Sequence, residues 1–256
     1  YTHYHFLKKT VETLLKYQPQ ESQKKTFSPE KILMYKGVVK HYQNKHQEAL
    51  NYFLVIPENI ESINNILVQK INLCERSYEQ ELEKEIKMTF DNHKNNPIIS
   101  FNYISFLYYQ KNEKTPYLIE LIADLLLNIK TNFENYTQLG LYYIPEKEKA
   151  LFWYFKYRHG KIIFDFNFDT KEYYQGFLKM LEEHCYRLKG FLYLDNEPEK
   201  AYKAFKNCLE LGSDHVWDYY EMAKLEKSFG NHDEYQRYIS YCQEILPFEP
   251  LFKNTF

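Results

Sequence analysis

The chain has 256 residues, 44% of them hydrophobic and 18% aromatic, with only seven glycines and nine prolines. This composition excludes an intrinsically disordered chain and predicts long elements joined by few turns. The 33 lysines and arginines nearly balance the 35 aspartates and glutamates, which excludes a global attraction to nucleic acid.

Helix pairs account for most of the chain in our prediction. Three dipeptides place a capping side chain directly before a proline: Ser28–Pro29, Asn96–Pro97 and Thr115–Pro116. Each marks a helix start, because the N–H that proline lacks has no partner at the first helical position. Ser77 and Gln80 form a capping-box pattern that opens another helix. We predict a lone helix at about 2–17, then helix pairs at about 29–56, 61–91, 97–130, 132–158, 171–211 and 214–245.

Two polar stripes run along predicted helices. The first stripe is spaced i, i+4, i+7 and i+11 and so shares one helix face: Asn65, Gln69, Asn72 and Arg76. It lies opposite the apolar line of Ile63, Leu67, Ile71 and Cys74. The next pair has a similar stripe of Asn102, Ser105 and Tyr109. Because an amide donates and accepts hydrogen bonds together, such rows can bind an extended peptide backbone. The alternative is that these are ordinary solvent-facing residues.

Residues 162–169 depart from the helical pattern. Aromatic and polar residues alternate there, which is the period of a half-buried strand or an extended loop, and we expect a connector. The oxygen ligands Asp165, Asn167 and Asp169 have the spacing that opens a calcium loop. However, Thr170 and Gly176 stand where that loop needs glycine and glutamate. We therefore predict a packed connector and no metal site.

The C-terminal part repeats with a period of 34 residues. Four positions of the first copy recur in the second: Leu188, Ala201, Phe205 and Cys208, then Met222, Tyr235, Ile239 and Cys242. Small residues at such positions let two antiparallel helices approach, and bulky ones fill the seam between them. At the turns, Asn196 and Gly230 have the same spacing and can adopt the left-handed conformation.

The repeat resembles the tetratricopeptide (TPR) pattern. Ala201 and Phe205 match its A-x3-F core, and Pro247 matches its helix-terminating proline. Two residues depart from it, since Lys189 replaces a small residue and Glu226 an apolar one. A further copy near the N-terminus is indicated by Gly37, Ala49 and Phe53.

We therefore predict an all-α fold, a right-handed superhelix of TPR-like helical hairpins, or α-solenoid. An N-terminal helix and looser repeats would occupy 1–158, the connector 159–170, and the C-terminal repeats with a capping tail 171–256. The cysteines are far apart in the sequence, and we expect free thiols in a reducing cytosol. They are Cys74, Cys185, Cys208 and Cys242.

The chain contains no sequence motif for catalysis, metals or cofactors. Phosphate-loop, nucleophile-elbow, H-E-x-x-H and paired C-x-x-C patterns are absent, and we expect no enzyme and no cofactor. His41 and His46 flank a hairpin turn and are predicted to be solvated. No stretch approaches the roughly 20 apolar residues of a membrane span. No signal peptide is visible either, so we expect a cytoplasmic protein without membrane contact.

The TPR-like tail, the looser middle repeats and the lysine-, asparagine- and isoleucine-rich composition resemble the sensor portion of peptide-responsive bacterial regulators. That group contains PlcR, NprR, Rap and the phage arbitrium receptors. In it a short secreted quorum-sensing peptide binds the concave groove, often through asparagine amides, and changes the activity of an effector domain. The resemblance implies a role in transcription regulation, with nucleic acid bound only through a domain absent from this chain. Because the chain begins at Tyr1 without a methionine, we expect a fragment whose N-terminal part was removed. The resemblance implies that the output domain was cut off or lost.

Two functions follow as expectations. The first is an allosteric receptor for a peptide of roughly five to ten residues, and the second is a passive scaffold or adaptor that recognises a segment of a larger protein. For the receptor, Asn65, Asn72 and Asn102 would hold the peptide backbone and Arg76 an acidic group. Apolar pockets would come from Tyr186, Tyr193 and Tyr220.

The terminal helix pair is rich in aromatic residues: Trp217, Tyr219, Tyr220, Tyr238 and Tyr241. These exceed what one hairpin's own seam needs, and aromatic residues are enriched where partners meet. We therefore expect a homodimer through this end. The alternative is that the rings cap the array and pack beneath the tail 248–256.

Overall fold

The computed structural model of the protein describes residues 29–56, 59–73, 79–132 and 171–253. Helices are the only regular elements in these ranges, so the all-α prediction is confirmed for them. None of these helices is long and apolar enough to cross a membrane. The chain divides into two compact units, Tyr1–Glu85 and Ile86–Phe256.

Several sequence predictions fall outside the described residues. They are the helix at 2–17, the pair at 132–158, the connector at 159–170 with its calcium-like residues, the capping residue Ser77, and Cys74 and Arg76. The division predicted at 159–170 therefore stays a prediction. The boundary between the two compact units lies at Glu85 instead.

Within its described residues, the first unit contains three complete helices and the start of a fourth. They are α1 (Pro29–Tyr42), α2 (His46–Leu54), α3 (Ile60–Leu73) and α4 (Glu79–His93). α1 packs on α2, and α2 on α3. A Cβ added at Gly37 would lie 2.4 Å from the Phe53 ring, so α1 approaches α2 through the missing side chain of glycine. Ala49 and Phe53 are fully buried, and the predicted N-terminal copy is thus a helical hairpin with these residues in its core.

Asparagine caps fix two of the helix starts. Asn96 Oδ1 accepts hydrogen bonds from the N–H groups of Ile98 and Ile99, as its position before Pro97 predicts. Asn59 does the same for α3 and was not among the predicted starts. Its Oδ1 accepts from the N–H of Ser62 at 2.9 Å, and the Ser62 hydroxyl accepts from the N–H of Asn59 at 3.0 Å. This reciprocal pair is a capping box with serine in the place of glutamate.

The second unit packs its described helices in chain order. They are α5 (Pro97–Ser105), continued by a π-helical turn at Phe106–Gln110, α6 (Pro116–Asn132), α7 (Lys171–Tyr193), α8 (Pro198–Glu210), α9 (Val216–Ser228), α10 (His232–Ile245) and α11 (Pro250–Lys253). Each of these helices contacts the next described one, and α5 also contacts α7. Contacts between sequence neighbours are typical of stacked helical hairpins.

The 34-residue period of the sequence is also the interval between helix starts. α8 begins at Pro198 and α10 at His232, while α9 begins at Val216 and α11 at Pro250. All eight matched side chains are buried: Leu188, Ala201, Phe205, Cys208, Met222, Tyr235, Ile239 and Cys242. The register therefore marks core positions, as predicted. Cys185, Cys208 and Cys242 are free thiols, and burial raises the pKa of each.

The structure explains the two departures from the repeat pattern. The repeat pattern requires a small residue at position 189, where this chain has a lysine. Gly190, one position later, supplies the small residue instead, because a Cβ there would lie 2.7 Å from the Phe205 ring. This leaves the Lys189 side chain partly exposed outside the seam. Glu226 is buried but satisfied, because the Tyr202 hydroxyl donates to it at 2.9 Å and the Asn231 amide at 2.7 Å. It ties α9 to α8 and to the following turn.

One of the two turn predictions is wrong. Gly230 has a φ of 83°, and the N–H of Asn231 bonds to the carbonyl of Glu226, which closes α9 with a left-handed residue. Asn196 is not among the described residues with positive φ. The N–H groups of Asn196 and Glu197 both bond to the carbonyl of Tyr193, so this turn closes without a left-handed residue.

The end of the second unit is covered by Phe252 of α11. Its ring is fully buried and lies 5.6 Å from Trp217 and 5.2 Å from Tyr220, centroid to centroid. Gln243 Nε2 donates to the Phe252 carbonyl at 2.6 Å and fixes α11 against α10. The alternative explanation of the aromatic residues, packing beneath the tail, therefore holds at Trp217 and Tyr220. The homodimer stays a prediction.

Candidate functional site

The amide stripe on α3 is not an open surface. Asn65 and Gln69 have 1% and 0% of their surface exposed. Asn72 is partly exposed, but its amide already donates to the carbonyl of Val68, one turn earlier, at 2.8 Å. The expectation of an accessible stripe is therefore corrected for Asn65 and Gln69, which face the packed side of α3. Their binding of a peptide, and that of Arg76 outside the described residues, stays a prediction.

Two histidines hold the amide of Gln69. His41 Nδ1 lies 3.0 Å from Gln69 Nε2, and His46 Nδ1 lies 3.1 Å from Gln69 Oε1. This geometry assigns His41 Nδ1 as the acceptor and His46 Nδ1–H as the donor. The prediction that both histidines are solvated is wrong for His41, which is buried. The three side chains tie the turn between α1 and α2 to α3.

The stripe on α5 also lies in the core. Asn102 and Ser105 are fully buried, and Tyr109 at the π-helical turn is partly buried. Every residue of α5 is buried because this helix packs on both α6 and α7. The signal for this was in the sequence, since apolar residues surround the helix on all sides: Ile98, Ile99, Phe101, Tyr103 and Ile104. The expectation of an accessible stripe is therefore corrected for Asn102 and Ser105, while binding of a peptide by these residues and Tyr109 stays a prediction.

Two of the three predicted tyrosines share a surface groove. The groove has a volume of about 160 Å³ and lies between α7 and α8. It is lined by Tyr186, Lys189 and Tyr193 from α7 and by Lys200, Lys203, Ala204 and Asn207 from α8. The α7 residues are spaced i, i+3 and i+7 and so share one helix face. We call this the tyrosine–lysine groove. Tyr220, the third predicted tyrosine, is covered by Phe252 instead.

The cations around the tyrosine–lysine groove fall into two kinds. Lys130 of α6 donates to the Tyr186 hydroxyl at 3.0 Å, which raises the pKa of Lys130, and its ammonium lies 3.6 Å from Glu182. Lys200 pairs with Glu197 and lies over the Tyr193 ring, 5.3 Å from its centroid. Lys189 and Lys203 form no ion pair with any carboxylate in the described ranges. The groove therefore holds two positive charges without a partner there.

A buried ion network lies beside the groove on α7. Arg187 donates to both carboxylate oxygens of Asp218 at 2.7 Å and to Glu183 at 2.5 Å, and the Ser213 hydroxyl donates to Asp218 at 2.7 Å. Arg187 and Asp218 are 3% and 0% exposed. Burial by itself lowers the pKa of Arg187, but the Asp218 carboxylate outweighs it and raises that pKa well above the usual value. Burial also raises the pKa of Glu183.

This network joins α7 to α9 and lacks the geometry of a nucleophilic site. Ser213, His215 and Asp218 are the residue types of a hydrolase triad, but the Ser213 hydroxyl bonds to carboxylates and is 3% exposed. A nucleophile needs an adjacent base and access to substrate. Within the ranges that the structure describes, no group of three or more His, Cys, Asp or Glu residues could hold a metal ion.

Sequence reasoning missed the lysines of the tyrosine–lysine groove. The available signal was Lys189, which stands where the repeat pattern requires a small residue. The partner helix supplies Lys200 and Lys203, and their meeting with Lys189 depends on the close approach at Gly190. No protein-family model matches the chain, and no curated protein matches it. The functional argument therefore depends on the geometry of this groove.

Proposed function

We propose that the protein is the sensor part of a peptide receptor, a TPR-like α-solenoid that binds a short peptide in the tyrosine–lysine groove. Helix starts 34 residues apart and the contacts between neighbouring helices support the TPR-like superhelix. In this proposal the receptor acts in the cytoplasm as a homodimer. Peptide binding regulates an effector or DNA-binding domain outside the chain.

The observation that carries the proposal is the pairing of two tyrosine rings with a narrow space between two helices. Tyr186 and Tyr193 are both partly exposed, and the buried Ala204 opposite them leaves room between α7 and α8. The groove volume of about 160 Å³ is below the roughly 300–1,000 Å³ of pockets that enclose a small molecule. It suits side chains of a longer ligand that continues along the surface.

The buried network supports an allosteric role for the same helix. Arg187 lies on α7 between groove residues Tyr186 and Lys189, and it is fixed to Asp218 of α9 by two hydrogen bonds. A ligand that shifts or turns α7 must carry this ion pair along or break it. Binding in the groove would therefore change the contact between successive hairpins. The hairpins would have two alternative packings, and the peptide would shift the equilibrium towards the one that it binds more tightly.

The test is affinity selection on the immobilised chain with a randomised library of peptides of about seven residues. We expect enrichment of related sequences. Calorimetry should show that Tyr186→Ala or Tyr193→Ala weakens a selected peptide by about 1–3 kcal/mol, the usual loss at an aromatic contact residue. Tyr42→Ala, at a tyrosine of α1 that is 41% exposed, is the matched control and should leave affinity unchanged.

Two outcomes would contradict the receptor proposal. Equal affinity of the wild type and both groove variants would place the peptide elsewhere. A chain that enriches no peptide but retains a folded protein partner would favour the scaffold or adaptor function.

A further inference from the structure

We propose that the tyrosine–lysine groove selects its peptide through a carboxylate, which is held between Lys189 of α7 and Lys203 of α8. This inference rests on the proposed function and names the chemistry of its ligand. It starts from the two lysines that lack a carboxylate partner in the described part of the chain, whereas Lys130 and Lys200 are already paired.

The two lysines face the same space from opposite walls. Lys189 lies between Tyr186 and Tyr193 on α7, and Lys203 lines the groove from α8 beside Ala204. An anion in the groove would therefore receive charge-assisted hydrogen bonds from both helices. The tyrosine rings supply apolar walls for the neighbouring side chains of the ligand. An acidic residue flanked by apolar residues matches this arrangement.

Comparison with the α9–α10 hairpin, one 34-residue repeat later, shows that the two groove lysines are specific to the α7–α8 hairpin. The residues 34 positions after Lys189 and Lys203 are Ala223 and Arg237. Ala223 is buried in the helix seam, and Arg237 pairs with Glu234 at 2.6 Å. The unpaired cations therefore do not follow from the repeat itself. Sites where a sequence breaks its own structural pattern are expected to be functional ones.

Gly190 provides the physical reason why Lys189 can be charged. In the α9–α10 hairpin the equivalent position is Ala223, a small residue buried in the core with Tyr235 and Ile239. In the α7–α8 hairpin Gly190 is the small residue that packs against Phe205, so position 189 does not have to pack between the two helices. The lysine then adds a cation to the groove without a buried charge in the core.

The observations favour a peptide carboxylate over a nucleic acid. A nucleic-acid site needs a row of cations that follows successive phosphates. Here the two cations that have no carboxylate partner within the described ranges share one groove, and their neighbours Lys130 and Lys200 are neutralised by Glu182 and Glu197. The net charge of −2 adds no general attraction to a polyanion.

The experiment compares three peptide libraries of about seven residues, each randomised among apolar residues around one fixed central position. The first has central glutamate and an amidated C-terminus, the second central glutamine and an amidated C-terminus, and the third central glutamine and a free C-terminal carboxylate. All have acetylated N-termini. The first and third arms distinguish a side-chain from a terminal carboxylate, while the second is the neutral reference.

We expect at least one carboxylate library to bind about tenfold to a hundredfold more tightly than the neutral library, as hydrogen bonds to charged groups predict. Lys189→Gln and Lys203→Gln should each reduce the ratio of the carboxylate-library affinity to the neutral-library affinity. Lys206→Gln is the matched control, because Lys206 is an exposed lysine of α8 that does not line the groove. It should retain the full preference.

The possible failures are distinguishable. Equal binding of all three libraries overturns the carboxylate inference but leaves the peptide receptor in place. A carboxylate preference that remains in both groove variants also overturns the carboxylate inference, since the carboxylate then binds outside the groove. Binding of none of the libraries overturns the proposed function and this inference together. Tighter binding of oligouridine, lost in the same two variants, would assign the groove to nucleic acid.

Discussion

Gly190 of α7 lies so close to Phe205 of α8 that an added Cβ would stand 2.7 Å from the Phe205 ring. Gly37 and Phe53 have the same relationship in the first unit, at 2.4 Å. In both hairpins a glycine of the first helix therefore receives an aromatic ring of the second helix. The Gly190–Phe205 contact sets the separation of α7 and α8, and the tyrosine–lysine groove lies between these two helices.

Gly190→Ala should destabilise the second unit by about 1–3 kcal/mol, because the new methyl group overpacks the seam against a fully buried ring. Gly176→Ala, in the same helix, is the control, since a Cβ there meets nothing within 4 Å. It should stabilise the helix by about 0.5–1 kcal/mol. Chemical denaturation of both variants measures the difference, and equal effects would contradict the close contact.

Asp218→Asn should cost about 3 kcal/mol of folding free energy, because it removes the carboxylate that accepts two hydrogen bonds from the buried Arg187 guanidinium and leaves only Glu183 to balance that charge. Asp91→Asn removes an ion pair to Lys87 whose side chains are 55% and 54% exposed, and should cost at most about 1 kcal/mol. Urea unfolding of the two variants provides the comparison. A loss for Asp218→Asn no larger than that for Asp91→Asn would contradict the dependence of Arg187 on Asp218.

His184 should make the protein sensitive to acid. Burial lowers its pKa from 6.5 to about 3, and its ring packs edge-on against Phe101 while Nδ1 bonds to the carbonyl of Met180. Between these values the unfolded chain binds a proton that the folded chain does not. The neutral His184 ring therefore costs no unfolding free energy above pH 6.5. Below pH 6.5 the unfolding free energy decreases towards pH 3, by up to about 1.4 kcal/mol per pH unit.

His184→Gln removes this titration and keeps a hydrogen-bond donor, so the pH dependence of its unfolding free energy should be flatter in that window. Glu183 acts in the opposite direction, because burial raises its pKa and the folded chain takes up that proton first. The difference between wild type and variant isolates the contribution of His184. Parallel pH profiles would show that this ring is not buried in neutral form.

Phe252→Ala should destabilise the second unit by about 3–5 kcal/mol, since it empties a fully buried site beneath α11. Trp217, which packs on this ring, should become more exposed and its fluorescence should shift to the red. Phe248→Ala is the control, because Phe248 is 85% exposed.

Sedimentation of the same proteins tests the predicted homodimer, and a wild-type monomer would contradict it.

The helix pairs within the described ranges, and several of their starts, could be predicted from the sequence because their causes are local. Pro97 and Pro116 begin helices, and Ala201 and Phe205 occupy core positions at the predicted spacing. The failure at Asn196 is also local, since a turn closed on the Tyr193 carbonyl needs no left-handed residue. Periodicity identifies which residues face inward, but several kinds of turn can join the same two helices.

The candidate site was only partly predictable, and the amide stripes show why. Asn65 and Asn102 have the spacing of an exposed polar face, yet both are buried. Helical spacing shows that residues share a face but does not say whether a second or third helix covers it. The placement of α5 against both α6 and α7 decides this for Asn102.

The sequence by itself determined the helical class, the 34-residue interval and the core positions, because each depends on residues within one hairpin. Only the tertiary structure decided which polar residues are accessible and which charges meet. Lys189 and Lys203 are 14 residues apart in the sequence and lie on different helices, and Gly190 brings those helices close enough to form one groove. Arg187 and Asp218 likewise meet across two hairpins. Such contacts depend on the separation and rotation of packed helices, which the periodicity of a single helix does not specify.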